Sequence, residues 1–110
     1  MSITPTAYPY KLPRINTYAA AILVELLCGN KITNAQMMVL LDCPHAGSVM
    51  SKIRQKFNWL PYLHQRFKPT YSGMGELTYE LEYWFNSADI MILKANDSRI
   101  QMFIDHYKKP

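Results

Sequence analysis

Apolar residues recur along this chain with the period of a helix, then of a strand, then of a helix again. Ala19, Ile22, Leu23, Leu26 and Leu27 fall at i, i+3, i+4, i+7 and i+8. They define one face of a first helix, which Asn16 or Thr17 can cap and which Gly29 ends in a left-handed conformation. Thr33 followed three residues later by Gln36 has the form of a capping box. A short second helix therefore starts there and ends near Asp42, with Ala35, Met38, Val39 and Leu41 supplying its apolar surface. Pro44 and Gly47 in "DCPHAG" redirect the chain before a third helix begins around Ala46 to Ser48. Val49, Met50, Ile53 and Phe57 form its apolar stripe.

From Leu63 the period changes to two. Leu63, Gln65 and Phe67 alternate with His64, Arg66 and Lys68, and Leu77, Tyr79, Leu81 and Tyr83 alternate with Glu76, Thr78, Glu80 and Glu82. With "KPTYSGMG" between them, the two runs predict a β-hairpin with one buried and one wet face. If Lys68 stands opposite Glu76, then Arg66 faces Thr78 and His64 faces Glu80, so cations of one strand meet anions of the next. The continuous apolar run 90–93 fits helix or strand equally. Asp97 or Ser98 then caps a last helix carrying Ile100, Phe103, Ile104 and Tyr107 at i, i+3, i+4 and i+7, and Lys108 and Lys109 suit the negative end of its dipole. Before the first helix, Pro5, Pro9 and Pro13 enforce an extended arm. Its Tyr8 and Tyr10 either lie along a partner or pack back over the core.

A chain of 110 residues that is 49% hydrophobic can bury one core. Its longest apolar stretch, 19–28, is interrupted by Glu25 and falls short of the roughly 20 residues that cross a bilayer. The amino terminus lacks the basic cluster and apolar run of a signal peptide. Cys28 and Cys43 lie beside apolar runs and read as free thiols of a reducing compartment. Together with His45 they fall one ligand short of a structural zinc site, so no metal is expected. The three histidines fall in three different elements, and neither a glycine-rich phosphate loop nor a nucleophile elbow is present. The reading is non-enzymatic, with no cofactor and no membrane partner.

Charge narrows the partner. Residues 1–68 carry eight Lys or Arg against two acids, net +6, and residues 69–110 carry four against six, net −2. A polyanion should meet the first two-thirds of the chain.

"KITNAQMMVLLDC" followed by "SVMSKIRQKF" resembles the small helix-turn-helix domain proteins encoded by phages and related mobile elements, over roughly residues 18–85. The fold this implies is α+β: a winged helix-turn-helix of three helices plus a β-hairpin wing, with an additional C-terminal helix. Residues 1–15 are then an extended arm, 16–85 the winged helix-turn-helix domain and 86–110 a helical extension for packing or dimerisation. The chain departs from the pattern at Asp42, where glycine is common, at "KFNW", where the third helix commonly ends in leucine-arginine, and at "PHAG", which reshapes the joint.

The resemblance implies a DNA-binding protein in the cytoplasm of a bacterial host, a transcriptional regulator or a recombination or replication accessory factor. Its third helix enters the major groove of double-stranded DNA. Ser48, Ser51, Lys52 and Gln55 share the solvent face of that helix, where lysine can reach guanine O6 and N7 and glutamine can pair with adenine. Arg54 and Lys56 flank the row and suit phosphates. Wing contacts are expected only near the tip, at Lys68, Thr70, Tyr71 and Ser72. Ile100, Phe103, Ile104 and Tyr107 either complete the monomer core or form a homodimer, which would double the recognition surface. An alternative from another class uses the same fold to bind and block a host protein, as a defence inhibitor or DNA mimic; the Glu76, Glu80 and Glu82 row and the tyrosine-rich arm motivate it.

Overall fold

The first helix, α1 (Tyr18–Leu27), buries seven of its ten residues, because apolar side chains occupy almost every position that can face inward. Thr17 caps it by accepting the Ala20 backbone N–H at 3.2 Å. At the other end Gly29, with φ +87°, lets its own N–H reach the Leu26 carbonyl and that of Asn30 reach Glu25, both at 3.1 Å. This double closure satisfies carbonyls that the helix leaves open, and it needs a residue without Cβ strain at that position. In the computed structural model, which describes residues 9–107, the chain then passes through a two-residue strand, β1 (Ile32–Thr33).

Thr33 ends β1 and caps α2 (Asn34–Leu40) with the reciprocal bonds of a capping box: its hydroxyl accepts Gln36 N–H at 3.1 Å and its N–H donates to Gln36 Oε1 at 2.9 Å. The apolar surface of α2 differs from the sequence expectation. Met37 is its one buried side chain, while Ala35, Met38 and Val39 face solvent and Leu41 is half-buried. The helix is too short for periodicity to select a face, and the packing of Met37 decides it. Asp42 follows with φ +53°, the left-handed conformation that a glycine adopts most easily.

The third helix, α3 (Ala46–Gln55), buries Ala46, Val49, Met50 and Ile53, with Phe57 half-buried just beyond its end. A 3₁₀ turn (Leu60–Tyr62) leads into β2 (Leu63–Tyr71) and β3 (Leu77–Phe85). The strands are joined by a tight loop: Ser72 N–H bonds the Glu76 carbonyl at 2.8 Å, the Ser72 hydroxyl accepts two loop amides, and Gly75 takes φ +81°. This loop sets the register. Lys68 pairs with Glu80, Arg66 with Glu82 and His64 with Trp84, four residues away from the pairing expected from sequence. The reason is that Pro69, Thr70 and Tyr71 belong to β2 and not to the connection. A shift of four is even, so every side chain keeps its face.

The run 90–93 is helical, within α4 (Ser87–Asn96), and α5 (Ser98–Tyr107) follows. Among the described residues the fold is thus α+β, with five α-helices and one antiparallel sheet in the order β1-β3-β2. The core runs through all of it. Ile22, Leu23, Leu26, Met50, Ile53 and Trp59 meet Tyr83 and Phe85 of the sheet base and Ile90, Leu93, Ile100, Phe103 and Ile104 of the last two helices. The arm belongs to it as well. Tyr10 is buried and stacks on Trp59 at 4.2 Å, Lys11 N–H bonds the Phe57 carbonyl at 2.9 Å, and Trp59 Nε1 donates to the Lys11 carbonyl at 2.9 Å. Of the two expectations for the arm tyrosines, Tyr10 packs back. Pro5, Tyr8, Lys108 and Lys109 lie outside the described residues. No described helix is long and apolar enough to cross a membrane.

Candidate nucleic-acid interface

With its stripe in the core, α3 presents Ser48, Ser51, Lys52 and Gln55 outward, Ser51 half-buried and the other three exposed. The helix contains no acid. Its flanking cations lean to opposite sides. Arg54 Nη1 donates to Gln65 Oε1 on β2 at 3.2 Å, tying the helix to the hairpin base. Lys52 and Lys56, one turn apart, turn the other way and join Arg14 around a groove of about 470 Å³ between the arm, α1 and α3. Leu12, Ala19, Val49 and Phe57 line the groove's apolar part. Arg14 therefore extends the cationic surface of α3, a placement made by the anchoring of Lys11 and Trp59 behind it. At its N-terminus α3 has no side-chain cap, since His45 makes none, so its first-turn amides receive no bond from that side chain.

The hairpin has two unlike faces. On one, His64, Arg66 and Lys68 of β2 lie beside Trp84, Glu82 and Glu80 of β3. Glu82 is buried and accepts Arg66 Nε and Nη2, both at 2.9 Å, with Lys68 Nζ at 3.5 Å. His64 stacks on Trp84 at 5.7 Å, and Lys31 and Arg66 lie over the same indole at 5.4 and 5.8 Å. The expected neutralisation of wing cations is thus present, through Glu82 and not through Glu76. Lys31 joins this face because β1 pairs with β3, Ile32 opposite Tyr83 and Thr33 opposite Glu82. Two residues carry too little periodicity to announce a strand, which is why sequence reasoning missed Lys31 and Arg66 as surface neighbours.

The opposite face begins in the core at Phe85 and Tyr83 and continues outward through Leu81, Tyr79 and Leu77, beside Phe67, Pro69 and Tyr71. The outer part of this face is uncovered, which corrects the expectation that Leu77 and Tyr79 are buried. Lys68 and Tyr71 therefore stand on opposite faces, so the expected wing-tip contacts do not form one surface. Ile100, Phe103 and Ile104 are buried and Tyr107 is half-buried against the same chain. That burial places Ile100, Phe103 and Ile104 in the core of the monomer, the first of the two expectations, with α1 and α4 packed against α5. Among the described residues no three His, Cys, Asp or Glu side chains gather to hold a metal ion.

Comparison with protein-family models, with curated proteins and with solved structures returns no match for this chain.

Proposed function

We propose that the protein is a winged helix-turn-helix DNA-binding protein that reads the major groove with α3 and acts as a transcriptional regulator or a recombination or replication accessory factor. The observation that carries this reading is the acid-free outer face of α3, with Ser48, Ser51, Lys52 and Gln55 in one row and Arg54, Lys56 and Arg14 on its flanks. The element order α1-β1-α2-α3-β2-β3, with β1 on the far side of β3 from β2, is compatible with a winged helix and supports the same reading. In it, Lys52 and Gln55 meet base edges, Arg14 and Lys56 meet phosphates, and the first-turn amides of α3 offer a further phosphate contact.

Fluorescence anisotropy with labelled duplex DNA over a salt series tests it. Each neutralised phosphate should add about −0.9 to the slope of log affinity against log salt. Lys56→Ala should flatten that slope by about one phosphate, and Lys52→Ala should cost about 1–3 kcal/mol on the preferred sequence. Unchanged binding in both variants would show that α3 does not contact DNA.

A second reading, a protein that binds and inhibits a host protein, draws support from Met38, Val39 and Leu40, three consecutive exposed apolar residues on α2. Capture of a stoichiometric partner from nuclease-treated lysate, lost in Val39→Ser/Leu40→Ser and without any duplex affinity, would favour it.

A further inference from the structure

The outer half of the hairpin is a ribbon of two strands. β1 reaches β3 only at Glu82 and Tyr83, so beyond that point the paired strands have no third strand beside them. An isolated two-stranded ribbon is marginal in water unless its apolar face is covered. Here that face is large: Phe67 is 70% exposed, Tyr71 73%, Leu77 57% and Tyr79 60%. The cross-strand pairs Phe67 with Leu81, Pro69 with Tyr79 and Tyr71 with Leu77 make it one continuous strip.

We propose that this strip is a homodimer interface, in which the hairpin of a second copy packs face to face across a two-fold axis. Three properties select a second copy over other occupants. The strip contains no charge, so an identical strip meets it without repulsion; Arg66 and Lys68 lie on the other face, bound to Glu82, with their own side chains still half-exposed. Its area suits a modest interface: Phe67, Tyr71 and Tyr79 keep 60–73% of their surface exposed, so at about 150–250 Å² per aromatic side chain they alone supply roughly half of the ~800 Å² that each partner contributes to a standard interface. Alternating side chains on a two-stranded ribbon also interdigitate with their own two-fold image at the roughly 10 Å spacing of packed sheets. DNA fits poorly, because the strip carries no cation. The strip adjoins the Arg54–Gln65 contact at the hairpin base, so pairing two hairpins would give the dimer two copies of α3 in a fixed relation. The interface itself does not depend on what α3 binds.

Sedimentation velocity of the full chain in nucleic-acid-free buffer, across a concentration series, is the test. A species of twice the 12.8 kDa chain mass is expected, with dissociation in the micromolar range or tighter. Phe67→Ser and Tyr79→Ser should each weaken association by at least about tenfold, while Phe67→Leu keeps it. Far-UV circular dichroism on each variant confirms that the fold survives. As a control, Val39→Ser on α2 should leave the mass unchanged. A chain that stays monomeric at about 100 µM, weaker than the micromolar affinity of a modest interface, overturns the proposal. So does a dimer that survives both serine variants, and so does a strip that engages only an unrelated protein.

Discussion

Tyr10 donates its phenolic hydrogen to Asp97 Oδ2 at 2.8 Å, joining residues 87 positions apart. Both are buried. Asp97 also accepts Arg99 Nε and Nη2 and, from the start of α5, the Arg99 backbone N–H at 3.1 Å. One carboxylate thus caps the last helix, holds a guanidinium and anchors the arm. Because the arm carries Arg14 to the groove beside α3, this buried contact helps to place a cation on the proposed DNA surface.

Stability should fall at both ends of the pH scale through this pair. The Arg99 hydrogen bonds, aided by Tyr10, hold the Asp97 carboxyl below its ordinary value. A depressed carboxylate contributes stability above its unfolded pKa of about 3.9, and that contribution is lost as pH falls through the lower folded value. Burial first, then Asp97, pushes the Tyr10 phenol above its ordinary value. Its contribution is complete below the unfolded pKa of about 10 and is lost as pH rises toward the folded value. Thermal melts followed by circular dichroism should show both declines. Tyr10→Phe should remove the alkaline one and cost about 1.5–3 kcal/mol at neutral pH, as expected for a hydrogen bond to a charged group.

The second helix separates structural from exposed apolar residues sharply. Met37→Ala should cost about 2–5 kcal/mol, because it empties a fully buried site. Val39→Ser, at a position 79% exposed, should change stability by no more than about 0.5 kcal/mol. Equal losses in urea unfolding would show that α2 packs through its other face.

These residues also show how far the sequence could be read. The helix stripes of α1, α3 and α5, the capping box at Thr33 and the alternation of the hairpin were legible because each is a local pattern repeated over several residues. The outward row of α3 followed from its stripe. What escaped was decided by contacts distant in sequence. β1 exists only because β3 lies beside it, and the four-residue change of register came from the bonds of Ser72 and the left-handed Gly75. Alternation marks an apolar face but cannot say where the core beneath it ends, so Leu77 and Tyr79 read as buried. Ile100 and Phe103 read as a possible dimer surface for the converse reason: periodicity does not reveal whether α1 or a second copy covers them.

Within the hairpin, removing a cation should hurt more than removing the anion. The Glu82 side chain is 6% exposed, whereas those of Arg66 and Lys68 are 56% and 44% exposed. Arg66→Met leaves a buried carboxylate with only the 3.5 Å contact to Lys68, which should cost about 1–3 kcal/mol. Glu82→Gln frees two cations that already reach water, and should cost less than about 1 kcal/mol. The difference should show as separate midpoints in chemical denaturation, and high salt should narrow it.

The joint before α3 provides the last test. Asp42 holds φ +53° while the Cys43 N–H reaches back to the Met37 carbonyl at 3.2 Å, so the chain must turn left-handed there to deliver Cys43 into the core and start α3 at Ala46. Left-handed backbone costs an ordinary residue about 1–2 kcal/mol; asparagine and aspartate pay less, and glycine has no such penalty. Asp42→Gly should therefore leave the melting temperature unchanged or raise it, while Asp42→Val should lower stability by about 1–2 kcal/mol, since a β-branched residue resists this conformation most. The same pair bears on function. If the joint only aims α3, the glycine variant keeps the duplex affinity of the parent chain in anisotropy. Asp42→Val, examined well below its melting point, should lose affinity in proportion to the population whose joint has opened.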